Sequence, residues 1–263
     1  MAEITLAVIT RNSESTLDAC LASAGGLAGD IVVVDDHSTD RTIEIARGHG
    51  ARVLTRSLET CGKQKDFAIR QARSVWVLLL DSDECCTPEL DREIRETLAG
   101  TPAHPAYRVP RKNLYFGKWL RFGGKYPDYQ TRLYRRDRVR YSDHFSHEKV
   151  IVDGSTGTLA GSILHHAYPD LDTWSMKLKR TAEFDALEWA RNGVRPSALN
   201  FLRFCLFRPL WRFDRKYFLR GGFLDGREGL LACLHDVLTQ ILAYHLLCRN
   251  HDEKGPPLRA AGS

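Results

Sequence analysis

Over the first hundred positions, apolar residues fall in short β-branched runs separated by stretches with helical spacing. ITLAVIT (4–10), DIVVVD (30–35), ARVLT (51–55) and VWVLLL (75–80) are strand-length runs with few polar residues inside them. Continuous runs of this kind fit strands covered on both faces. Between them, Leu17, Cys20 and Leu21 keep a helical period. Asp40 opens a second helix through Ile43, Ile45 and Ala46, which stops near Gly48–Gly50. Lys63–Arg73 reads as a third helix. Thr87-Pro88 supplies an N-cap and first helical residue for a fourth, running to Leu98 with Gly100 as its stop. Such alternation predicts a parallel sheet with helices on both faces, and ligands of such sheets bind at the carboxyl ends of the strands.

From Tyr107 to His166 the pattern changes to shorter β-like pieces: YRVPRKNLYF, QTRLYRR, KVIVDG and ILHHAY. Beyond Asp170 helical spacing returns, with Trp174, Leu178, Phe184, Leu187 and Trp189 forming an apolar stripe. Leu230–Cys248 is the longest apolar stretch, but His235, Asp236, Gln240 and His245 interrupt it. A helix packed on protein or lying at an interface is expected there, since a spanning helix needs roughly 20 predominantly apolar residues.

Charge and cysteine content refine this picture. The net charge of +5 is unevenly placed: Lys177 to Arg227 holds twelve Lys and Arg against five Asp and Glu. A basic third suits an anionic lipid surface or a phosphorylated acceptor. No nucleic-acid-binding motif accompanies it. Within that third, LNFLRFCLFRPLWRFDRKYFLRGGF (199–223) interleaves Phe, Leu and Trp with Arg and Lys. This fits an interfacial segment and equally a basic helix packed on the rest of the chain. Gly221, Gly222 and Gly226 suggest a re-entrant turn between two amphipathic pieces. The seven cysteines include no CxxC pair and no zinc spacing, and the N-terminus lacks a basic region ahead of its apolar run, so reduced thiols in the cytoplasm are expected.

Three strand ends carry the candidate chemistry: Thr10, Arg11 and Asn12; Asp35, Asp36, His37 and Ser38; and Asp81, Ser82, Asp83 and Glu84. Two carboxylates at i and i+2 after a buried strand can serve a Mg²⁺ or Mn²⁺ that shares its coordination with phosphate oxygens. The plainer reading is that these acids cap the following turn. Arg132 and Arg135 could face a phosphate or solvent. His147 could contact a metal or phosphate, or be structural. Cys85 and Cys86 sit among acids, so packing accounts for them better than reactivity.

IVVVDDHSTDRT followed by WVLLLDSDE resembles the family 2 glycosyltransferases, which share the GT-A fold. FGKWLRFGGKYPDYQTRLYRR, FSHEKV and KYFLRGGFLDGREG are similar to the lipopolysaccharide-core branch that includes β-1,4-glucosyltransferases. The resemblance implies an α/β chain with a mostly parallel central sheet. It places a GT-A domain over 1–168, with a nucleotide-sugar half (1–100) and an acceptor-side half (101–168). A helical membrane-associating extension (169–250) and a tail (251–263) follow. It implies transfer of a hexose, from UDP-glucose, to the lipopolysaccharide core by a protein peripheral on the inner face of the bacterial inner membrane. The alternatives are transfer to a polyprenyl phosphate and a non-catalytic nucleotide-sugar scaffold. Carried over by position, Thr10, Asn12, Asp35 and Asp36 line the nucleotide pocket, with Gln64 and Lys65 near it. Asp81 and Asp83 hold the ribose side and a Mg²⁺- or Mn²⁺-bound diphosphate, and Glu148 is the catalytic base. Asp128 and Asp143 are weaker candidates for that base.

Overall fold

The computed structural model describes residues 3–142 and 150–252. The chain divides into two compact units, one of residues 1–112 with 128–165, the other of 113–127 with 166–263.

The first unit is built on the expected alternation. In chain order come β1 (Ile4–Thr10), α1 (Leu17–Gly25), β2 (Asp30–Asp35), α2 (Thr42–Gly48), β3 (Arg52–Thr55), α3 (Cys61–Arg70), β4 (Trp76–Asp81), β5 (Glu84–Cys86) and α4 (Pro88–Ala99). Then follow β6 (Ala106–Tyr115), β7 (Lys118–Trp119), β8 (Asp128–Arg135), β9 (Val139–Tyr141), β10 (Val150–Val152), β11 (Thr156–Thr158) and β12 (Ile163–Tyr168), of which β7 and the ends of β6 and β12 belong to the second unit. The sheet runs β3-β2-β1-β4-β8-β6-β12-β5. Its first four strands are parallel, in registers such as Val8↔Val33 and Leu6↔Leu78. β8 joins β4 antiparallel, and β6 joins β8 the same way.

The apolar runs are continuous because both faces of these strands are covered. Leu78 and Leu80 join Leu6, Val8, Leu17, Leu21, Leu90 and Ile94 in one core; Val77 and Leu79 join Ala7, Val32, Val34, Ala68, Ile69 and Tyr134 in another. α4 starts as expected: Pro88 follows Thr87, whose hydroxyl accepts from Leu90 N at 3.3 Å, and Gly100 ends it. Two helix starts differ from the sequence reading. α3 begins at Cys61, not Lys63, because Thr60 is its N-cap, and it ends at Arg70. Asp40 lies two residues before α2, where its carboxylate accepts from both Thr42 N and Glu14 N and so ties two loops together.

The second unit carries α5 (Leu171–Arg191), capped by Asp170 through Thr173 N at 2.7 Å. A helical run over 198–219 follows, made of α6 (Ala198–Phe201), a wide π turn (Leu202–Phe207), α7 (Arg208–Phe213) and a second π turn (Asp214–Leu219). Gly221 and Gly226, both at φ +67°, bracket a short 3₁₀ turn, and α8 (Gly226–Asp252) returns. Those positive φ angles are where glycine avoids the Cβ penalty, so the glycines do form the turn read from the sequence. Ala182 and Ala186 of α5 pack with Phe204, Ala243, Tyr244 and Leu247; small side chains on both helices let them approach closely. The segment Gly222–His251 is long and apolar enough to cross a membrane by length and composition, yet half of its apolar window is buried inside the protein.

Candidate active site

β4 is central and buried, and it delivers Asp81 to the carboxyl edge of the parallel strands. The chain then turns at Ser82-Asp83 into β5, a strand the sequence reading had not separated from the motif. β5 pairs antiparallel with β12, Glu84 opposite His165. That ladder brings His165 Nε2 to 3.4 Å from Asp83 Oδ2. His165 was not among the sequence candidates. ILHHAY is a strand by pattern, but only its pairing with β5, some 80 residues earlier, shows that it meets the motif.

Asp81 and Glu84 enter an ion-pair knot. Lys65 Nζ lies 3.1 Å from Asp81 Oδ1, and Arg132 Nη2 lies 2.6 Å from Asp81 Oδ2 and 2.7 Å from Glu84 Oε1. Arg111 adds bonds to Glu84 at 3.0 Å and Asp128 at 2.7 Å, and Glu84 also accepts from Asp81 N at 3.1 Å. The Glu84 side chain is fully buried and that of Arg132 nearly so. Burial opposes the charge on Asp81, but Arg132 and Lys65 outweigh it and hold its carboxyl well below the usual carboxylate range. Burial likewise opposes the charge on Arg132, and Asp81 and Glu84 outweigh it. Arg132 is thus an interior residue whose partners are carboxylates, which removes the solvated-face reading. Arg135 is at the surface, paired with Asp137. Asp128, a weaker candidate for the base, accepts from Arg111 Nε at 2.9 Å and from its Nη2 at 2.7 Å.

The nucleotide candidates occupy the neighbouring strand ends. Thr10 Oγ1 is buried with no hydrogen-bond partner among the described residues. Asp36 N donates to Thr10 O at 2.9 Å. The Asp36 carboxylate accepts from Leu58 N and Arg11, each at 3.0 Å. Asp35 is buried and holds Ser38 through its backbone N–H at 2.9 Å and through its hydroxyl. Asn12 takes a positive φ of +46°, and its Oδ1 accepts from Thr39 N at 2.8 Å, closing the loop after β2. Gln64 is buried and donates to Arg56 O at 3.0 Å, so it shapes the loop after β3. Asp66 accepts from Arg70 and from Tyr141 N.

Lys65 and Arg132 also line a cleft of about 300 Å³ with Tyr129, Gln130, Thr131, Tyr141 and Val150. Glu148, Asp143 and His147 lie outside the described residues. Cys86 is buried, and burial pushes its thiol up to about 12, in keeping with a packing role. Among the described residues no three His, Cys, Asp or Glu side chains form a cation cluster. A divalent ion here would therefore have to share its coordination with phosphate oxygens and water, as Mg²⁺ and Mn²⁺ commonly do. Asp83, with His165 beside it, fits an ion held in that way.

Comparison with known proteins gives the family of the chain. An uncharacterized glycosyltransferase of Rickettsia typhi is 26% identical over 243 residues, covering 88% of this chain and 82% of its own length. A second, from Rickettsia bellii, is 24% identical over 242 residues, covering 87% and 80%. Among solved structures, residues 1–349 of TarS from S. aureus superpose with a TM-score of 0.46 at 15% identity, covering 93% of this chain and 91% of that one. Glucosyl-3-phosphoglycerate synthase from Mycobacterium tuberculosis, in complex with Mn²⁺, UDP and glucosyl-3-phosphoglycerate, gives 0.34 at 21% identity, and this chain spans 44% of it. The family model for glycosyl transferase family 2 matches residues 5–152, more than half of the sequence. The chain belongs to glycosyl transferase family 2, with the GT-A arrangement of a nucleotide-sugar-dependent transferase.

Proposed function

We propose that this protein transfers a hexose, glucose from UDP-glucose, with inversion onto a saccharide hydroxyl of the lipopolysaccharide core. It would do so while bound peripherally to the inner face of the bacterial inner membrane. The observation that carries the reading is the cleft lined by Lys65 and Arg132 on the same strand edge as Asp81-Ser82-Asp83. It joins cationic side chains suited to a diphosphate with a carboxylate suited to its counter-ion.

Thr10, Asn12, Asp35 and Asp36 would receive the nucleoside at the ends of β1 and β2. The orphaned, buried Thr10 hydroxyl is a ready contact for it. Gln64 supports the pocket by holding Arg56, while Lys65 reaches the phosphates from its place beside Asp81. Asp83, with His165, would hold Mg²⁺ or Mn²⁺, which when bound offsets the negative charge that grows on the departing diphosphate. Asp81 stays anionic in its knot and orients Lys65 toward the cleft.

Inversion needs an acceptor hydroxyl attacking from the face opposite the diphosphate, with its proton removed by a positioned base. Glu148, which lies outside the described residues, is the base that the family resemblance implies. Glu148 takes that proton. The exposed Arg203, Arg212, Arg215 and Arg220 would meet anionic lipid headgroups.

A panel of nucleoside diphosphate sugars tests the reading, each assayed for release of nucleoside diphosphate with divalent ion or with chelator. UDP-glucose with ion should be the productive combination, and Asp83→Ala should abolish it. Full turnover in chelator would refute the role given to Asp83. Transfer only to a polyprenyl phosphate would replace the acceptor.

A further inference from the structure

Two motifs distant in sequence interlock in the second unit. The Asp225 carboxylate, buried, accepts from Phe122 N at 2.8 Å and from Arg121 N at 3.1 Å. Its backbone carbonyl accepts from Lys118 Nζ at 2.6 Å, and Gly123 N donates to Arg220 O at 2.9 Å. The fit is tight at two glycines. A Cβ on Gly222 would stand 2.7 Å from Lys216 O, and one on Gly124 would stand 2.5 Å from Arg220 Nη1. Loop 117–124 is therefore moulded onto the turn between Gly221 and Gly226.

The outward side of this assembly is apolar. A Cβ on Gly221 would lie 3.1 Å from Leu224 Cδ1 and 3.7 Å from Phe122 Cδ1, so these two side chains flank one point. Phe122 is 40% exposed and Leu224 58%, and exposed Phe218, Leu219 and Phe223 adjoin them in sequence. Arg121, Arg220 and Arg227, the cations near these residues in sequence, are all exposed. Asp225, the acid nearest in sequence, is turned inward to the backbone N–H groups. Large apolar side chains left in solvent, with exposed cations near them in sequence, mark a surface built for a partner that is greasy inside and anionic outside.

We propose that the tip formed by Phe122 with Phe218–Leu224 inserts into an anionic bilayer surface, with Arg121, Arg220 and Arg227 at the phosphate level. Asp225 is the positioning residue that brings Phe122 to this face. The inference rests on the membrane association read above and deepens it. The contact is not the basic helix alone but a composite of two segments about 100 residues apart.

The test uses the full chain and vesicles of phosphatidylglycerol and phosphatidylethanolamine, with flotation at 0.1 M and 0.5 M NaCl. High salt screens the cationic contribution but not apolar insertion. Phe122→Ser with Leu224→Ser replaces two exposed residues, so melting should be unchanged. Partitioning at 0.5 M NaCl should fall on the order of tenfold or more, from the apolar area no longer removed from water. Arg208→Gln with Arg212→Gln and Arg215→Gln should lose binding chiefly at 0.1 M. If wild type floats and the Phe122/Leu224 variant floats equally, the tip inference is overturned and membrane association stands. Should wild type fail to float at either salt, both fail. A variant that turns a dimer into a monomer, measured by light scattering, without changing flotation would make the tip a protein interface and overturn the inference.

Discussion

Replacing Arg132 by Met removes one side chain from the centre of the knot while keeping its apolar stem. Two carboxylates lose a partner, unequally. Asp81 is a quarter exposed and keeps Lys65; Glu84 is fully buried and keeps Arg111 and the Asp81 N–H. Breaking a buried pair by removing one partner costs about 3–5 kcal/mol, because a charge is left in a poor solvent. The retained partners place the expected loss near the lower bound, about 3 kcal/mol. That is a large share of the roughly 5–15 kcal/mol that holds a domain together. Urea unfolding followed by fluorescence reads it as a shift in midpoint at constant slope. Pairing Arg132→Met with Glu84→Gln should recover more than about 1 kcal/mol of the loss, since the second change removes the stranded charge. A loss below about 1 kcal/mol, the scale of a surface ion pair, would show that the knot is solvated and the reasoning wrong.

The remaining predictions are shorter. Glu148→Gln should keep nucleotide affinity within a few-fold by calorimetry while turnover falls on the order of 10²-fold; if turnover survives, the base is another residue. Burial holds the His235 imidazole down at about 4, against 6.5 ordinarily. The unfolded chain therefore binds the proton first as pH falls, and stability drops by about 2 kcal/mol between pH 7 and pH 5. His235→Phe should flatten that slope in denaturant titrations at the two pH values, and an unchanged slope would assign it to other groups. Gly229→Ala drives a Cβ into Gly222 O and should cost about 1–3 kcal/mol in chemical denaturation. Gly25→Ala, with nothing within 4 Å, should leave stability equal or raise it by up to about 1 kcal/mol; equal losses at both sites would refute the packing argument.

What the sequence made legible was local. The runs that became β1, β2 and β4 could be read because a doubly covered strand writes its burial into consecutive residues. Thr87-Pro88 and Gly100 announced α4 because caps are made by neighbours in sequence. Asp81 and Asp83 were visible as a spacing after a strand. Their partners were not. Arg132 reaches Asp81 only because β8 docks antiparallel beside β4, and His165 reaches Asp83 only because β12 pairs with β5. Nor does anything within 113–127 show that these residues form a unit with the C-terminal helices; an acid more than 100 positions away holds their backbone. Pairings of that range depend on which strand lies beside which, and that is settled by the fold as a whole.

The wide turns at Leu202–Phe207 and Asp214–Leu219 have a consequence for how related sequences should be aligned. A π turn closes its hydrogen bond one residue later than an α turn, so each stores an extra residue without breaking the helix. Deleting one residue there would let the helix relax to regular winding and heal. A wide turn with its extra residue sweeps about the same angle as a regular turn without it, so everything beyond would keep its face. Leu210 and Trp211 would stay outward, with Phe204 and Pro209 buried. The same deletion inside a regular helix such as α5 would instead rotate everything beyond it by about 100°. One-residue length differences within Leu202–Phe207 or Asp214–Leu219 therefore preserve direction, and weigh less in an alignment than the same gap elsewhere in the helices.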